Sequence, residues 1–460
     1  MDSSRQNGGG YSGSRRDFIK IAAASLGGTL LTGASVGCGG GGIGSIGGNG
    51  GNGLNTHVGV GVMPNGYRFY RVFTPGGGSG LGDVVKLTGG VMNNTSTILF
   101  YAEKSSGAAG IFQISMDYSA ETPRIIDVPS VLMEQGQMLS DSVQVEKINS
   151  AALNDLGESS ACAVVAFAKN DLSVEPRLRG TPAVWQADGA DFERIVSLGS
   201  PTPVGGKFGA NLGDVSINDD GDILLVASYS QDTDQGIHLA QGLFQLRNGQ
   251  SDSGVLLGTT GGMTGGGTGG ANSTPSKFGI CDFDNRGNYV AQTFYNDSAT
   301  VRSGGVTARI TGGSRGRNLQ AVSANVGNTY FGPRVDGGTH TSVIHLNDTQ
   351  HALYYNGNEL TRTGGQSPQG RLIHAVGPGS VSNDVTHFLV MVDNGMELVV
   401  SNGSAQKTIL KYGDLVANSD KQIRGIVHGF HADQADADGR IVLVGEFEDG
   451  SQSVVVGIPY

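Results

Sequence analysis

Seven of the nine histidines fall in the last third of the chain: His340, His345, His351, His374, His387, His428 and His431. Imidazole is the side chain whose ordinary pKa lets it exchange a proton near neutrality, so this clustering raises acid–base or polar binding chemistry. His374 and His428 stand nine and eight residues before short polar turns that begin at Asn383 and Asp436. Arg334 stands one residue before another such turn, at Val335. Brought to one mouth of a fold, His374, His428 and Arg334 would form a polar site for a protein or carbohydrate ligand. They carry no carboxylate partner in a local motif, so they also read as plain turn and surface residues.

The carboxylates fall into three groups: Asp219, Asp220 and Asp222; Asp282 and Asp284; Asp433, Asp436 and Asp438. Asp436-Ala437-Asp438-Gly439 has the look of part of a calcium loop. Gln434, however, stands where the first aspartate belongs, and no glutamate occupies the closing position. All three groups coincide with turns, where Asp bonds its own backbone, and that is the reading adopted. The glycine stretch 258–273 lacks Gly-Lys-Ser/Thr and a following helix, so it is a loop rather than a phosphate cradle. There is no H-E-x-x-H, and no metal or cofactor is expected.

The elements that must position these residues repeat along the chain. From residue 58 onward, turns of the form Asn/Asp-x-x-Gly/Thr begin at Asn94, Asn154, Asn218, Asp284, Asn383 and Asp436, with a variant, Val335-Asp336-Gly337-Gly338, between the fourth and the last two, about 57 residues apart. Behind them come the apolar runs ILFYAE, CAVVAFA, DILLVASY, NYVAQTFY, TSVIHL, HFLVMV and RIVLVGEF. Asn and Asp tolerate left-handed backbone and Gly accepts positive φ, so each turn joins two antiparallel strands. A third strand follows in each unit (GIFQISM in the first, ELVVSNG in the sixth), and a fourth in all but the last (RIIDV at 124–128, NLQAV at 318–322). Seven units of four short strands predict an all-β fold: a seven-bladed β-propeller of four-stranded antiparallel blades.

The last unit stops at Tyr460 after its third strand, and an orphan strand-like segment, Tyr67–Phe73, precedes the first complete unit. The expectation is a ring closed by this N-terminal strand, which leaves no open sheet edge. Val58–Gly66 also resembles a third strand and its turn, so the last blade closes as three strands plus one or as two plus two. His374 and His428 fall near the starts of first strands, the innermost of a blade. Cys162 opens the second strand of the second unit and Cys281 lies on the first strand of the fourth. With a whole unit between them, two unpaired, buried thiols are expected.

Composition agrees with a turn-rich β protein: 78 glycines in 460 residues without a Gly-X-Y period, 15% charged and 37% hydrophobic residues. The formal charge is −11. Residues 1–37 hold Arg5, Arg15, Arg16 and Lys20 against Asp2 and Asp17; without them 26 basic and 39 acidic residues leave −13. Such a surface repels phosphate backbones and argues against a nucleic-acid partner.

Ser14-Arg15-Arg16-Asp17-Phe18-Ile19-Lys20 resembles the twin-arginine export motif, with Ile19 in place of leucine. The stretch Ile21–Val36 that follows contains Gly27, Gly28 and Gly33 and is too short and weak to anchor in a membrane. Ser35-Val36-Gly37-Cys38 resembles a lipobox, in which the cysteine receives diacylglycerol; the family pattern has an aliphatic residue where Ser35 stands. Residues 39–53 hold ten glycines, the composition of a flexible tether spanning on the order of 20 Å. Three segments result: a signal at 1–38, a tether at 39–57 and the repeat domain at 58–460. The resemblances imply export by the twin-arginine pathway to the periplasm or cell surface, with membrane contact only through a lipid on Cys38 or, with ordinary cleavage, a soluble product.

The repeat, N-x-x-G before an apolar strand and then G-[VIL]-[FY], is similar to the propeller-like repeats of exported bacterial proteins of unknown function. That resemblance covers about residues 58–460 and implies a fold and an address rather than an activity. Two readings of function stay open: a binding or scaffold module, or a hydrolase or lyase with its site at the channel mouth.

Overall fold

The computed structural model describes residues 61–76, 81, 83–92, 96–140, 143–153, 161–168, 182–188, 191–233, 236–260, 275–284, 287–295, 307–314, 317–318, 323–327, 331–336, 339–347, 350–426 and 438–460. Apart from the 3-10 turn Arg247–Gly249, their regular structure is all strand. The strands form seven antiparallel sheets. Sheet one holds Val84–Met92, Thr97–Lys104, Ala109–Asp117 and a divided outer strand, Arg124–Ile125 and Ser130–Glu134. Sheet two runs through Val143–Leu153, Ala161–Ala168, Pro182–Asp188 and Asp191–Val196, with Met138–Ser140 added beside its first strand. Sheet three is Lys207–Ile217, Ile223–Thr233, Gly236–Leu246 and Gly254–Thr259. Sheet four is Pro275–Phe283, Tyr289–Tyr295 and Thr307–Ser314, with Arg317–Asn318 and Ser323–Gly327 on its outer side. Sheet five comprises Phe331–Asp336, Thr339–Asn347, Gln350–Tyr355 and Asn358–Arg362; sheet six comprises Ile373–Ser382, Val385–Val392, Gly395–Ser401 and Gln406–Lys411. Sheet seven pairs Ile423–Ile426, Ile441–Phe447 and Gln452–Pro459 with Tyr67–Phe73.

Continuous rather than alternating apolar sequence marks strands covered on both faces. The second strands show it: Ile98, Leu99 and Phe100 are all buried, as are Ile223–Ala227 and Ile441–Val444. Each sheet packs on the next in chain order. Leu99 and Ile111 of sheet one meet Val145, Leu153 and Trp185 of sheet two. Val184 and Val196 then meet Phe208, Leu225 and Phe244 of sheet three, and Leu224 and Val226 meet Phe278 and Ala291 of sheet four. The first strands of sheets four and five are neighbours. Val343 and Leu353 of sheet five meet Phe388 and Val390 of sheet six, whose Met396 and Leu398 meet Ile441 and Leu443 of sheet seven. Val444 and Val454 of sheet seven return to Phe100 and Phe112 of sheet one.

The N-terminal strand pairs where the repeat count places it. Tyr67 lies opposite Pro459, Tyr70 opposite Val456 and Phe73 opposite Val454. Three C-terminal strands and one N-terminal strand make this sheet, and residues 61–66 add no strand to it. Its other edge is held too: Ala417 N–H donates to Phe69 O at 2.7 Å, and Asn418 exchanges bonds of 2.7 Å with the backbone of Arg71 in both directions. The Arg71 guanidinium lies 4.1 Å over the Phe447 ring and donates to the hydroxyls of Ser453, Ser419, Thr74 and Ser451.

Each meander has two unlike ends. The hairpin end carries the turns between strands one and two and between three and four. The crossover end carries the turn between strands two and three and the link to the next sheet. These links share a geometry that the repeat pattern did not announce. Gly136, Gly199, Gly364 and Gly413 all have φ between 86° and 90°. Each donates its N–H to the next first strand, at Val145, Phe208, Ile373 and Ile423. Positive φ is nearly free for glycine and costly for other residues, which explains the residue type at this recurring corner.

The outer strand read at 124–128 is shorter than expected. Only Arg124 and Ile125 pair with Asp117 and Met116, and pairing resumes at Ser130–Glu134. Pro129 between them has no N–H to give a ladder, and Val128 is exposed. In the strand expected at 318–322, only Asn318 lies within the described residues.

Candidate functional site

His374 is the second residue of its first strand, at the crossover end of sheet six. Its Nε2 lies 2.5 Å from Asp393 Oδ1 in the turn after strand two, and both side chains are about half exposed. Arg334 sits near the far end of its first strand, opposite Thr341, and so at the hairpin end of sheet five. Two of the three residues expected to meet therefore lie at opposite ends of neighbouring sheets. The Arg334 side chain, and His428, Cys38, Arg15 and Arg16 entirely, lie outside the described residues. A carboxylate partner for His374 was invisible in sequence because Asp393 joins it only through strand pairing, 19 positions away.

The acidic clusters are taken up by the turns. Asp284 accepts from Asn288 N and Nδ2, both at 2.7 Å. Asp222 accepts from Gln245 Nε2 at 2.9 Å and Asn248 N at 3.1 Å, tying the first turn of sheet three to the turn between its third and fourth strands. Asp220, Asp222, Arg247 and Asn248 line an open depression of about 580 Å³ at that hairpin end. Because Asp222 is buried and bonded to the depression's own walls, the feature is a braced corner of the sheet. Asp438 pairs with Arg440 at 2.7 Å, and that guanidinium stacks 4.2 Å over Tyr118 of sheet one; Asp433 and Asp436 lie outside the described residues. Asp214 accepts from Cys281 N at 2.9 Å, and Ser216 Oγ donates to Asp282 at 3.4 Å, which stitches the first strands of sheets three and four. The Cys281 thiol is buried, with its Sγ 3.9 Å from Asp214 O; the Cys162 side chain is outside the described residues.

Two buried ionisable groups stand outside the site that the sequence suggested. Glu397, fully buried, accepts from Thr408 Oγ1 at 2.7 Å and Ser367 Oγ at 3.0 Å and faces Arg371 Nε at 3.4 Å. It pins the crossover Ser367–Arg371 to sheet six, and its signal was a lone charge inside the apolar run MELVV. His387 is also buried, and desolvation pushes its pKa down to about 3, so the ring is neutral. Tyr67 Oη donates to Gly439 O at 2.9 Å and lies 2.7 Å from His387 Nε2, so Nε2–H is the donor between them. That chain links the N-terminal strand, sheet six and the first turn of sheet seven. Among the described residues Nδ1 has no partner.

Surface chemistry divides between the two ends. Twelve large apolar side chains are clearly exposed among the described residues. Seven of them, Val85, Met138, Ile237, Leu239, Leu372, Tyr412 and Leu415, are at the crossover end. Ile237 and Leu239 stand on the protruding hairpin of sheet three and are 73% and 76% exposed. The hairpin end instead presents Asp219, Asp220, Asn248, Asp384, Asn402 and Asp438.

The described residues form an all-β arrangement of seven successive antiparallel sheets. No family model matches the sequence, and no curated protein matches it. Among solved structures it is similar to a puromycin-hydrolyzing peptidase of Mycobacterium tuberculosis, at 10% identity over 84% of this chain and 54% of that one (TM-score 0.45). It is similar to Pyrococcus horikoshii acylaminoacyl peptidase, at 10% identity over 80% and 52% (TM-score 0.41). It is also similar to the β-propeller domain of the Trilobed protease from Pyrococcus furiosus, at 10% identity over 84% and 94% (TM-score 0.43). The chain spans about half the length of the first two.

Proposed function

We propose that this chain is an exported, lipid-anchored, seven-bladed β-propeller of four-stranded blades, a binding or scaffold module that takes a protein or carbohydrate ligand at its crossover end. The N-terminal strand completing sheet seven, and the return of that sheet onto sheet one, support the closed ring. The concentration of exposed apolar side chains at the crossover end carries the binding reading, since such surface is retained against its cost in water where a partner covers it. A photo-crosslinking residue at Leu239 or Leu415 should give discrete adducts in cells, and one at Asp220 none. Equal labelling at both ends, or none, would refute the reading. The address has its own test: replacing Arg15 and Arg16 by Lys should leave folded protein in the cytoplasm, because a receptor reads that motif.

The His374–Asp393 pair favours a second reading, a hydrolase or lyase acting at the same end, with the carboxylate orienting the imidazole. Turnover of glycan or peptide substrates that is lost in both His374→Gln and Asp393→Asn would support it. Turnover unchanged in both would leave the pair a surface contact.

A further inference from the structure

The segment that precedes the N-terminal strand is fixed to one end of the sheets. Gly61 N–H donates to Asn383 O at 2.8 Å, and Asn402 Nδ2 donates to Gly61 O at 3.1 Å. Asn383 belongs to the first turn of sheet six and Asn402 to the turn between its third and fourth strands, so Gly61 lies at the hairpin end. Lys407 Nζ donates to Asn65 O. Gly66 and Tyr460 exchange backbone bonds of 3.2 and 3.0 Å. A Cβ at Gly66 would collide with the Tyr460 hydroxyl, so the close approach of this segment depends on glycine there.

We propose that the hairpin end of sheets six and seven faces a lipid surface and that the crossover end points away from it, toward the ligand. The inference rests on the reading that Cys38 carries a lipid. Residues 39–60 then join lipid to Gly61, and a glycine-rich coil of that length has a root-mean-square span of roughly 25 Å. The ten-residue first strand of sheet six separates the two ends by about 33 Å. Turning the crossover end to the bilayer would hold Gly61 farther out than the coil's rest length. The described hairpin-end turns present Asp220, Asp384, Asn402 and Asp438, with Val62 and Tyr460 as single exposed apolar side chains rather than a continuous apolar face, so the contact is a hydrated apposition held by the tether. The seven apolar residues at the crossover end are thereby kept clear of lipid.

The test uses the full lipidated protein in phosphatidylcholine vesicles carrying a headgroup acceptor dye, with Cys162 and Cys281 replaced by Ala. A donor fluorophore is placed by Ser404→Cys at the hairpin end or by Asp420→Cys at the crossover end. Ser119→Cys and Ser105→Cys form a second pair across sheet one, for use if either first variant loses its strand circular dichroism. Energy transfer from the hairpin-end site should be roughly two-fold or more that from its crossover-end partner, because a strand length of about 25–33 Å lies between them. Equal or reversed transfer from protein that still sediments with the vesicles would overturn the orientation alone. Sedimentation that is the same for the parent and Cys38→Ala would overturn the lipid anchor, and the orientation with it.

Discussion

Acid should loosen this protein through His387, and the magnitude follows from its burial. The folded-state pKa is about 3, against 6.5 for an exposed imidazole. The unfolded chain therefore takes up a proton below pH 6.5 that the folded chain refuses until pH 3. Stability from this group is fully present above pH 6.5 and is lost as pH falls toward 3. Each pH unit in that window is worth about 1.4 kcal/mol, so lowering pH from 7 to 5 should remove about 2 kcal/mol through His387 alone. His387→Gln keeps an N–H donor for Tyr67 Oη but does not titrate. Urea unfolding of parent and variant at pH 7, 6 and 5, followed by Trp185 fluorescence, separates this contribution from that of other acid-sensitive groups. The variant should start less stable by 1–3 kcal/mol, an approximate cost of imperfect replacement in a buried site, and then fall less steeply with acid. Parallel pH profiles for the two proteins would show that His387 is not held neutral, and the reasoning from its burial would be wrong.

Closure by the N-terminal strand makes Phe73 a core residue, with its ring 4.8 Å from that of Phe100. Phe73→Ala should cost about 3–5 kcal/mol in urea unfolding; a loss below about 1 kcal/mol would mean that the strand is dispensable. At the recurring crossover corner, Gly413→Ala meets open space but needs φ +88°, so it should cost about 1–2 kcal/mol. Gly425→Ala, in a strand with open space and no positive φ, should be neutral or slightly stabilising, and thermal midpoints of the pair distinguish backbone strain from simple loss of glycine.

Local chemistry was legible in the sequence wherever one segment decides it. The Asn/Asp-x-x-Gly turns, the second strands behind them and the strand character of Tyr67–Phe73 follow from residue types over a few positions. Counting strands per unit then placed Tyr67–Phe73 beside Gln452–Pro459, because an unpaired edge left at the C-terminus needs a partner. Asp222 and Asp284 were read as turn residues for the same local reason, and their oxygens bond within their own sheets. The tertiary structure decided what depends on alignment between distant segments. Asp393 reaches His374 through hairpin pairing, Tyr67 reaches His387 across 320 positions, and Glu397 finds Ser367 only where a crossover folds back. His374 and Arg334 both belong to first strands, yet position along a strand sets which end a side chain occupies, and that placed them apart. Residue type announces what a group can do; the long-range register decides what it meets, because a strand carries its side chains to places that no local spacing encodes.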